Sequence, residues 1–388
     1  MEDLTAAPES MPESSASAVP PGRNSSPKID KYFKAMAKHK ASDLHFKADT
    51  PAKFRLKGAI RNIDSTPLSN AEIEAMAYEI MSEVQISRYH EKGSMDFAYQ
   101  LGQADRFRIN LFRQRGRSSM AARRVPREIL DLEQLHLPAS LAKLGELHQG
   151  LVLVAGITGS GKSTTIAALL EQINQTRACH IVTVEDPIEF LYDDKKAFVN
   201  QREIGLDVGD FHDALKYLMR EDPDVILIGE MRDQETFAAA LASAETGHLV
   251  FGTIHASSAS STVARILELF PEEARPLIRT SLVFNLQAVV CLKLLPGLQP
   301  EIPRLPCCEI MICNSTIRKM IAEERDSEIG AVIRGSYHEG MIDFTESLRQ
   351  LVDKELIAVK TAYAVAPNPD ELKMRLKGIS VTAGGIIG

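Results

Sequence analysis

Residues 150–163 read GLVLVAGITGSGKS, and this stretch decides the fold of the larger part of the chain. An apolar run ends in Gly156-Ile157-Thr158-Gly159-Ser160-Gly161-Lys162-Ser163, the spacing G-x-x-x-x-G-K-S. A triphosphate packs several negative charges close together. Glycines allow successive backbone N–H groups to turn inward toward such charges. The segment that follows, TTIAALLEQIN, has a helical pattern and brings the positive end of a helix to the same place. The loop therefore assigns Gly156, Thr158, Gly159, Ser160, Gly161, Lys162, Ser163 and Thr164 to nucleotide binding. Lys162 is expected on the β and γ phosphates of ATP, and the Ser163 hydroxyl on Mg2+.

Downstream of this loop, further continuous apolar runs alternate with helical stretches: HIVTV at 180–184, DVILIG at 224–229 and LVFGTIH at 249–255. Apolar strands separated by helices predict a parallel sheet covered on both faces. Beyond Pro271 the pattern is expected to become mostly helical.

Upstream, the pattern differs. A helix-like stretch runs from Lys28 to about Lys40, followed by the strand-like LHFKA, AKFRLKG and AIRNI. A helix is expected from Asn70 to His90 with Ser69 as its N-cap. DFAYQL and RFRINLFRQR read as a hairpin turning near Leu101-Gly102, and SMAARRVP as a further strand. This is a small α+β domain. Residues 131–149 read as a linker with one helix. Residues 1–27, rich in Ser, Pro, Ala and Glu, read as a disordered tail.

The chain has 388 residues, 44% hydrophobic and 25% charged, with a formal net charge of −7. That acidic balance argues against nucleic acid as a partner. The 5 cysteines form no C-x-x-C pair, so neither a tetracysteine zinc site nor a disulfide framework is expected. Reduced thiols suit a cytoplasmic protein. The N-terminus shows no apolar core behind a basic start, and no apolar run is long enough to span a bilayer.

Two acidic clusters terminate the apolar strands: Glu185-Asp186-Pro187-Ile188-Glu189 and Gly229-Glu230-Met231-Arg232-Asp233. Ligands of parallel sheets sit beyond the carboxyl ends of the strands, so both clusters are expected beside the phosphate loop. Between them they can supply a metal-supporting carboxylate and one that orients the attacking water. Asp186 and Asp233 are open to a simpler role as caps. His255 follows an apolar run on the same edge and could sense the γ-phosphate, whereas His248 stands at a strand start. The arginines of 106–115 are expected on one strand face, with Arg123 and Arg124 on the next strand. They read either as a solvated surface or as arginine fingers, which another domain or subunit would have to deliver.

The motifs ASDLHF, RFRINLF, GITGSGKSTT, TVEDPIEF, REDPDVILIGEMRDQET and ETGHLVFGTIHASSA together resemble the type IV pilus twitching ATPases of the PilT kind, within the type II/IV secretion ATPase superfamily. The resemblance covers about residues 28–350. It implies an α/β fold with four parts. These are the tail 1–27, a PAS-like N-terminal α+β domain at 28–133, a RecA-like P-loop ATPase core at 134–271, and a helical C-terminal subdomain and tail at 272–388. It implies Glu189 as the water-activating residue, Glu230 as the Walker B acid supporting Mg2+, and His248 and His255 as the matched histidines. Arg108 and Arg123 fall on the family's arginine fingers. The partners it implies are five further copies in a homohexamer, an inner-membrane pilus platform protein and a paralogous ATPase of the PilU kind. Met231 in GEMRD resembles retraction rather than assembly ATPases. Ser315-Thr316-Ile317-Arg318-Lys319 occupies the place of the retraction ATPases' A-I-R motif, with Ser-Thr in place of the alanine. The closing GISVTAGGIIG is not part of the common pattern.

Overall fold

The computed structural model describes residues 26–378 except 57, 103–104 and 126. The expected tail 1–27 (apart from Ser26 and Pro27) and the terminal GISVTAGGIIG (apart from Gly378) lie outside the described residues. The chain divides into two units, Met1–Arg127 and Glu128–Gly388.

The first unit is built on six strands: β1 Asp43–Lys47, β2 Thr50–Leu56, β3 Ala59–Leu68, β4 Ser94–Gln100, β5 Arg106–Gln114 and β6 Arg117–Val125. They form one antiparallel sheet in the order β3-β2-β1-β6-β5-β4. The hairpin near Leu101-Gly102 is present as β4 and β5. Helix Asp30–Lys38 buries Tyr32, Phe33 and Met36, and the Phe33 ring stacks on Phe107 of β5 with centroids 4.0 Å apart.

The helix expected over 70–90 is two helices, Asn70–Tyr78 and Glu83–Lys92. Ser69 does cap the first. Ser82 forms a second capping box with Gln85, so a new helix starts there in preference to a continuation.

The second unit holds seven strands: β7 Gly150–Ala155, β8 His180–Glu185, β9 Phe198–Glu203, β10 Val225–Ile228, β11 Leu249–Ile254, β12 Leu286–Pro296 and β13 Arg304–Ile312. Their order is β13-β12-β7-β11-β10-β8-β9. All neighbours pair in parallel except β12 with β13.

Alternate residues of β7 point into different cores. Leu151 and Leu153 pack with Phe237, Leu241, Val263 and Ile266. Val152 and Val154 pack with Leu141, Ile166, Leu169 and Ile173. Period-two alternation thus delivers one strand to two helical layers, which is why its sequence is apolar throughout.

Beyond Pro271 the described residues are mostly helical, as expected, but two strands that the sequence reading did not place lie among them. β12 lies directly beside β7, and β13 closes that edge of the sheet. Asn285, Gln287 and Lys293 make the run 281–295 look interrupted, but most of β12 is buried. A separate subdomain starting at residue 272 would cut this sheet, and the unit is continuous from Glu128. Helices Ser315–Ala322, Ile329–Gly335, Phe344–Asp353, Val359–Val365 and Pro369–Leu376 follow β13. Among the described residues no helix is long and apolar enough to cross a membrane.

Candidate nucleotide site

The phosphate loop leaves the buried end of β7 and enters helix Lys162–Thr176. Gly156, Gly159 and Gly161 have φ of 149°, 78° and 99°, which side chains rarely tolerate. Gly156 is the most constrained. A Cβ there would collide with the Ser160 hydroxyl and lie 2.7 Å from the Leu292 carbonyl of β12. Gly156→Ala should therefore cost about 1–3 kcal/mol of stability. A thermal melt that shows no loss would exclude this close packing.

The Ser160 hydroxyl is buried and has no hydrogen-bond partner. A buried polar group without a partner is costly, and one inside a turn of amides suits an incoming anion. Thr158 and Gly159 are exposed at the crest of the loop, and Ser163 and Thr164 occupy the first helical turn.

Lys162 Nζ donates to the carbonyl oxygens of Gly156 at 2.9 Å and Ile157 at 3.2 Å. Burial lowers its pKa, and the charges of Glu230 and Glu189 push back upward. The lysine is therefore within the field of both carboxylates on which the sequence reading rests.

Glu230 follows β10 and is the hub of a small polar cluster. Its Oε2 accepts from Arg232 at 2.5 Å, and its Oε1 lies 3.0 Å from His255 Nε2. The Arg232 hydrogen bond is the chief cause holding its carboxyl below the ordinary value, with the Arg232 and His255 charges adding to it. His255 is thus brought beside the loop. It lines a cleft of about 440 Å³ together with Gly156, Ile157, Ser257 and Arg265.

His248 is not brought there. It stands at the opposite end of β11, where its Nδ1 lies 2.9 Å from the Ser243 carbonyl and its own carbonyl accepts from Gly150 N–H. The six residues of β11 separate it from His255 by about 20 Å. Within one chain the two histidines do not share a site.

Asp233 caps helix Gln234–Glu245 by accepting from Thr236 N–H at 2.8 Å. Asp186, joined to Pro187 by a cis peptide bond, is exposed, as is Glu189. Glu185, singled out for no role by the sequence reading, is buried. Its carboxyl accepts from Thr183 Oγ1 at 2.6 Å and Gln201 Nε2 at 3.2 Å, and burial pushes its pKa up to about 7. Finding it needed β9, whose segment FVNQRE has no apolar run to announce a strand.

In the first unit, Arg108 of β5 pairs with Arg123 of β6 in register, so both lie on one face. Arg123 Nε donates to Asp43 at 3.0 Å while its side chain remains 67% exposed. The expectation that the arginines of 106–115 share one face of their strand is corrected for Arg113. Arg124 opposes Phe107 on the other face and pairs with Asp105. Arg113 has the parity of Phe107 and lies over the Tyr89 ring.

Magnesium fits the donor chemistry. The Ser163 hydroxyl and Glu230 carboxylate are hard oxygen donors of the kind the ion prefers, with phosphate and water completing its shell. Among the described residues no group of three or more His, Cys, Asp or Glu is placed to hold a metal.

The profile described as "Type II/IV secretion system protein" matches residues 24–363. The type IV pilus retraction ATPase PilT of Pseudomonas aeruginosa is 40% identical over 334 residues, covering 86% of this chain and 96% of that protein. The type IV pilus ATPase PilU of the same bacterium is 34% identical over 349 residues, covering 90% and 91%. A crystal structure of the pilus retraction motor PilT with bound ADP matches with a TM-score of 0.83 and 39% identity, covering 89% of this chain and 99% of that one. With its parallel sheet, glycine-lined phosphate loop and facing carboxylates, this chain belongs to the type II/IV secretion system protein family and stands with its pilus retraction ATPases.

Proposed function

We propose that this protein is a magnesium-dependent ATPase motor that powers type IV pilus retraction. The observation that carries the reading is the position of Lys162. Its ammonium lies against the loop carbonyls and within the field of Glu230 and Glu189. When phosphate arrives, the lysine can exchange those carbonyls for phosphate oxygens, which restores the charge partner that burial denies it. Ser160 and the loop amides hold the same anion. Ser163 and Glu230 would hold magnesium, whose charge would offset that developing on the phosphates. Glu189, exposed on the loop after β8, orients the attacking water. His255, bonded to Glu230, reports on the γ-phosphate side of the cleft.

The relative PilT, 40% identical, is a retraction ATPase, and Met231 suits that type. A second reading is an accessory paralogue with regulatory nucleotide binding, favoured by the 34% identity to PilU. Steady-state ATPase activity of the assembled protein, with magnesium or with chelator, separates the two. Deleting the gene and counting surface pili tests direction. Excess static pili support retraction, and bald cells would point to assembly.

Arg108 and Arg123 act across a subunit boundary in a homohexameric ring, delivered by one subunit to its neighbour's phosphates. The ring docks on a platform protein of the inner membrane from the cytoplasmic side, alongside a paralogous ATPase. Arg123→Ala should lower turnover by roughly 10- to 100-fold, less than loss of a lone finger, because Arg108 lies opposite it. Stability should change little, because buried Asp43 keeps Arg55 at 3.3 Å and Ser42 at 2.7 Å as partners. Mixing this variant with Lys162→Ala subunits should restore part of the activity, since each supplies what the other lacks. Full activity in a strictly monomeric protein would overturn the arrangement.

A further inference from the structure

The water-orienting role proposed for Glu189 requires its loop to be held still, and the loop lies outside any helix or strand. A single side chain holds it with two hydrogen bonds and is tied to the end of β8 by a third. Gln201 of β9 donates through Nε2 to the Phe190 carbonyl at 2.8 Å. The same nitrogen donates to the buried Glu185 carboxyl at 3.2 Å. Its Oε1 accepts from Tyr192 N–H at 3.0 Å. The bonded groups on the loop, Phe190 C=O and Tyr192 N–H, lie one and three residues after Glu189.

The anchor of this strap is itself fixed. Gln201 opposes Thr183 in the parallel register of β8 and β9. Thr183, fully buried, donates to the Glu185 oxygen that Gln201 also uses. Glu185 lies against the other acidic strand end as well. A Cβ on Gly229 would come within 3.1 Å of Glu185 Cα. The cluster therefore holds the loop after β8 and packs against the segment carrying Glu230.

We infer that Gln201 is a positioning residue for hydrolysis, acting on the water through the placement of Glu189. This rests on the role proposed above for Glu189. A carboxamide is the side chain that suits the place. It donates to one backbone group and accepts from another two residues on, with no charge added beside a buried carboxyl. Isosteric replacements without both functions keep the volume and lose the strap.

Two variants test it in the full chain. Gln201→Met keeps bulk and makes no hydrogen bonds. It should reduce kcat by about 10- to 100-fold, the scale expected for a catalytic group displaced by about 1 Å, while KM for ATP changes less than about threefold. A fall in kcat matched by an equal rise in KM, or unchanged kcat, would overturn the proposal.

Gln201→Glu keeps the acceptor and loses the donor at neutral pH, and it places a second carboxyl beside Glu185. Such a pair shares a proton as pH falls, which restores an O–H donor to Phe190. Its kcat relative to wild type should therefore rise several-fold between about pH 8 and pH 6. The charged or titratable groups facing it are Glu185 at the end of β8, Glu189 and Tyr192 on the loop, and Glu203 on its own strand. A flat ratio across that range would overturn the proposal.

Single-turnover measurements in a Glu189→Gln background separate this inference from the reading beneath it. If Gln201 works through Glu189, Gln201→Met adds little further loss there. A full additional 10- to 100-fold loss would place Gln201 on another path. Wild-type turnover in Glu189→Gln alone would instead remove the role of Glu189 itself.

Discussion

Lys162→Ala should reduce ATP turnover by about 10³-fold or more, and should weaken binding of magnesium ATP as well. The magnitude follows from what the ammonium does. It is half-buried in the loop, with burial lowering its pKa and only the loop carbonyls, Glu230 and Glu189 to hold its charge. A preorganised cation in such a site has little reorganisation to undergo when charge builds on the phosphate. Removing a single preorganised donor from comparable sites costs about 10²- to 10³-fold in rate, and here a full charge is lost with it. Stability should change little, because the side chain contributes nothing to either apolar core. Steady-state phosphate release and equilibrium nucleotide binding on the same sample test both parts. Turnover at the wild-type rate would remove the site from between β7 and its helix.

Glu189→Gln should separate binding from chemistry. Glu189 is exposed, so the neutral amide keeps its size and removes only the charge that Lys162 and Glu185 feel. Nucleotide affinity should remain within a few-fold, while hydrolysis slows by about 10²- to 10⁴-fold, the range for loss of a group that accepts or orients a proton. A trapped ATP state, seen by quenching the bound nucleotide and resolving ATP from ADP, is the direct signature. The opposite result is equally clear. If Glu230→Gln gave the trapped state and Glu189→Gln did not, the two carboxylates would have exchanged roles. The structure sharpens that comparison, because Glu230 is bonded to Arg232 and His255. Its replacement by glutamine should therefore disturb the Arg232 and His255 contacts as well as the metal. Weakened magnesium dependence is expected from it, and none from Glu189→Gln.

The histidines show where residue patterns reach and where they stop. Both stand in the stretch ETGHLVFGTIH, where the sequence places His248 at a strand start and His255 at a strand end, while the resemblance to the family matches both to one motif. A strand between them places them at opposite ends of the sheet, with one against Glu230 and the other against Ser243. The arginines behave in a similar way. Alternation along β5 and β6 puts Arg108 and Arg123 on one face and sends Arg124 to Asp105 on the other.

The order of local features was set by the sequence alone. An apolar run into a glycine-rich turn and a helix defines the phosphate loop, because glycine at positive φ and an orphaned helix start are properties of neighbouring residues. The same is true of the strand alternation in the first unit and of the Ser69 cap. Tertiary structure alone decided which distant segments meet. β12 lies beside β7 and packs its Leu292 carbonyl against Gly156. β9, with no apolar signature, carries Gln201 to the Glu189 loop. Local pattern encodes the burial of each segment, whereas strand order and cross-strand register come from how those buried faces pack together. The groups that hold the Glu189 loop in place are legible only once that packing is known.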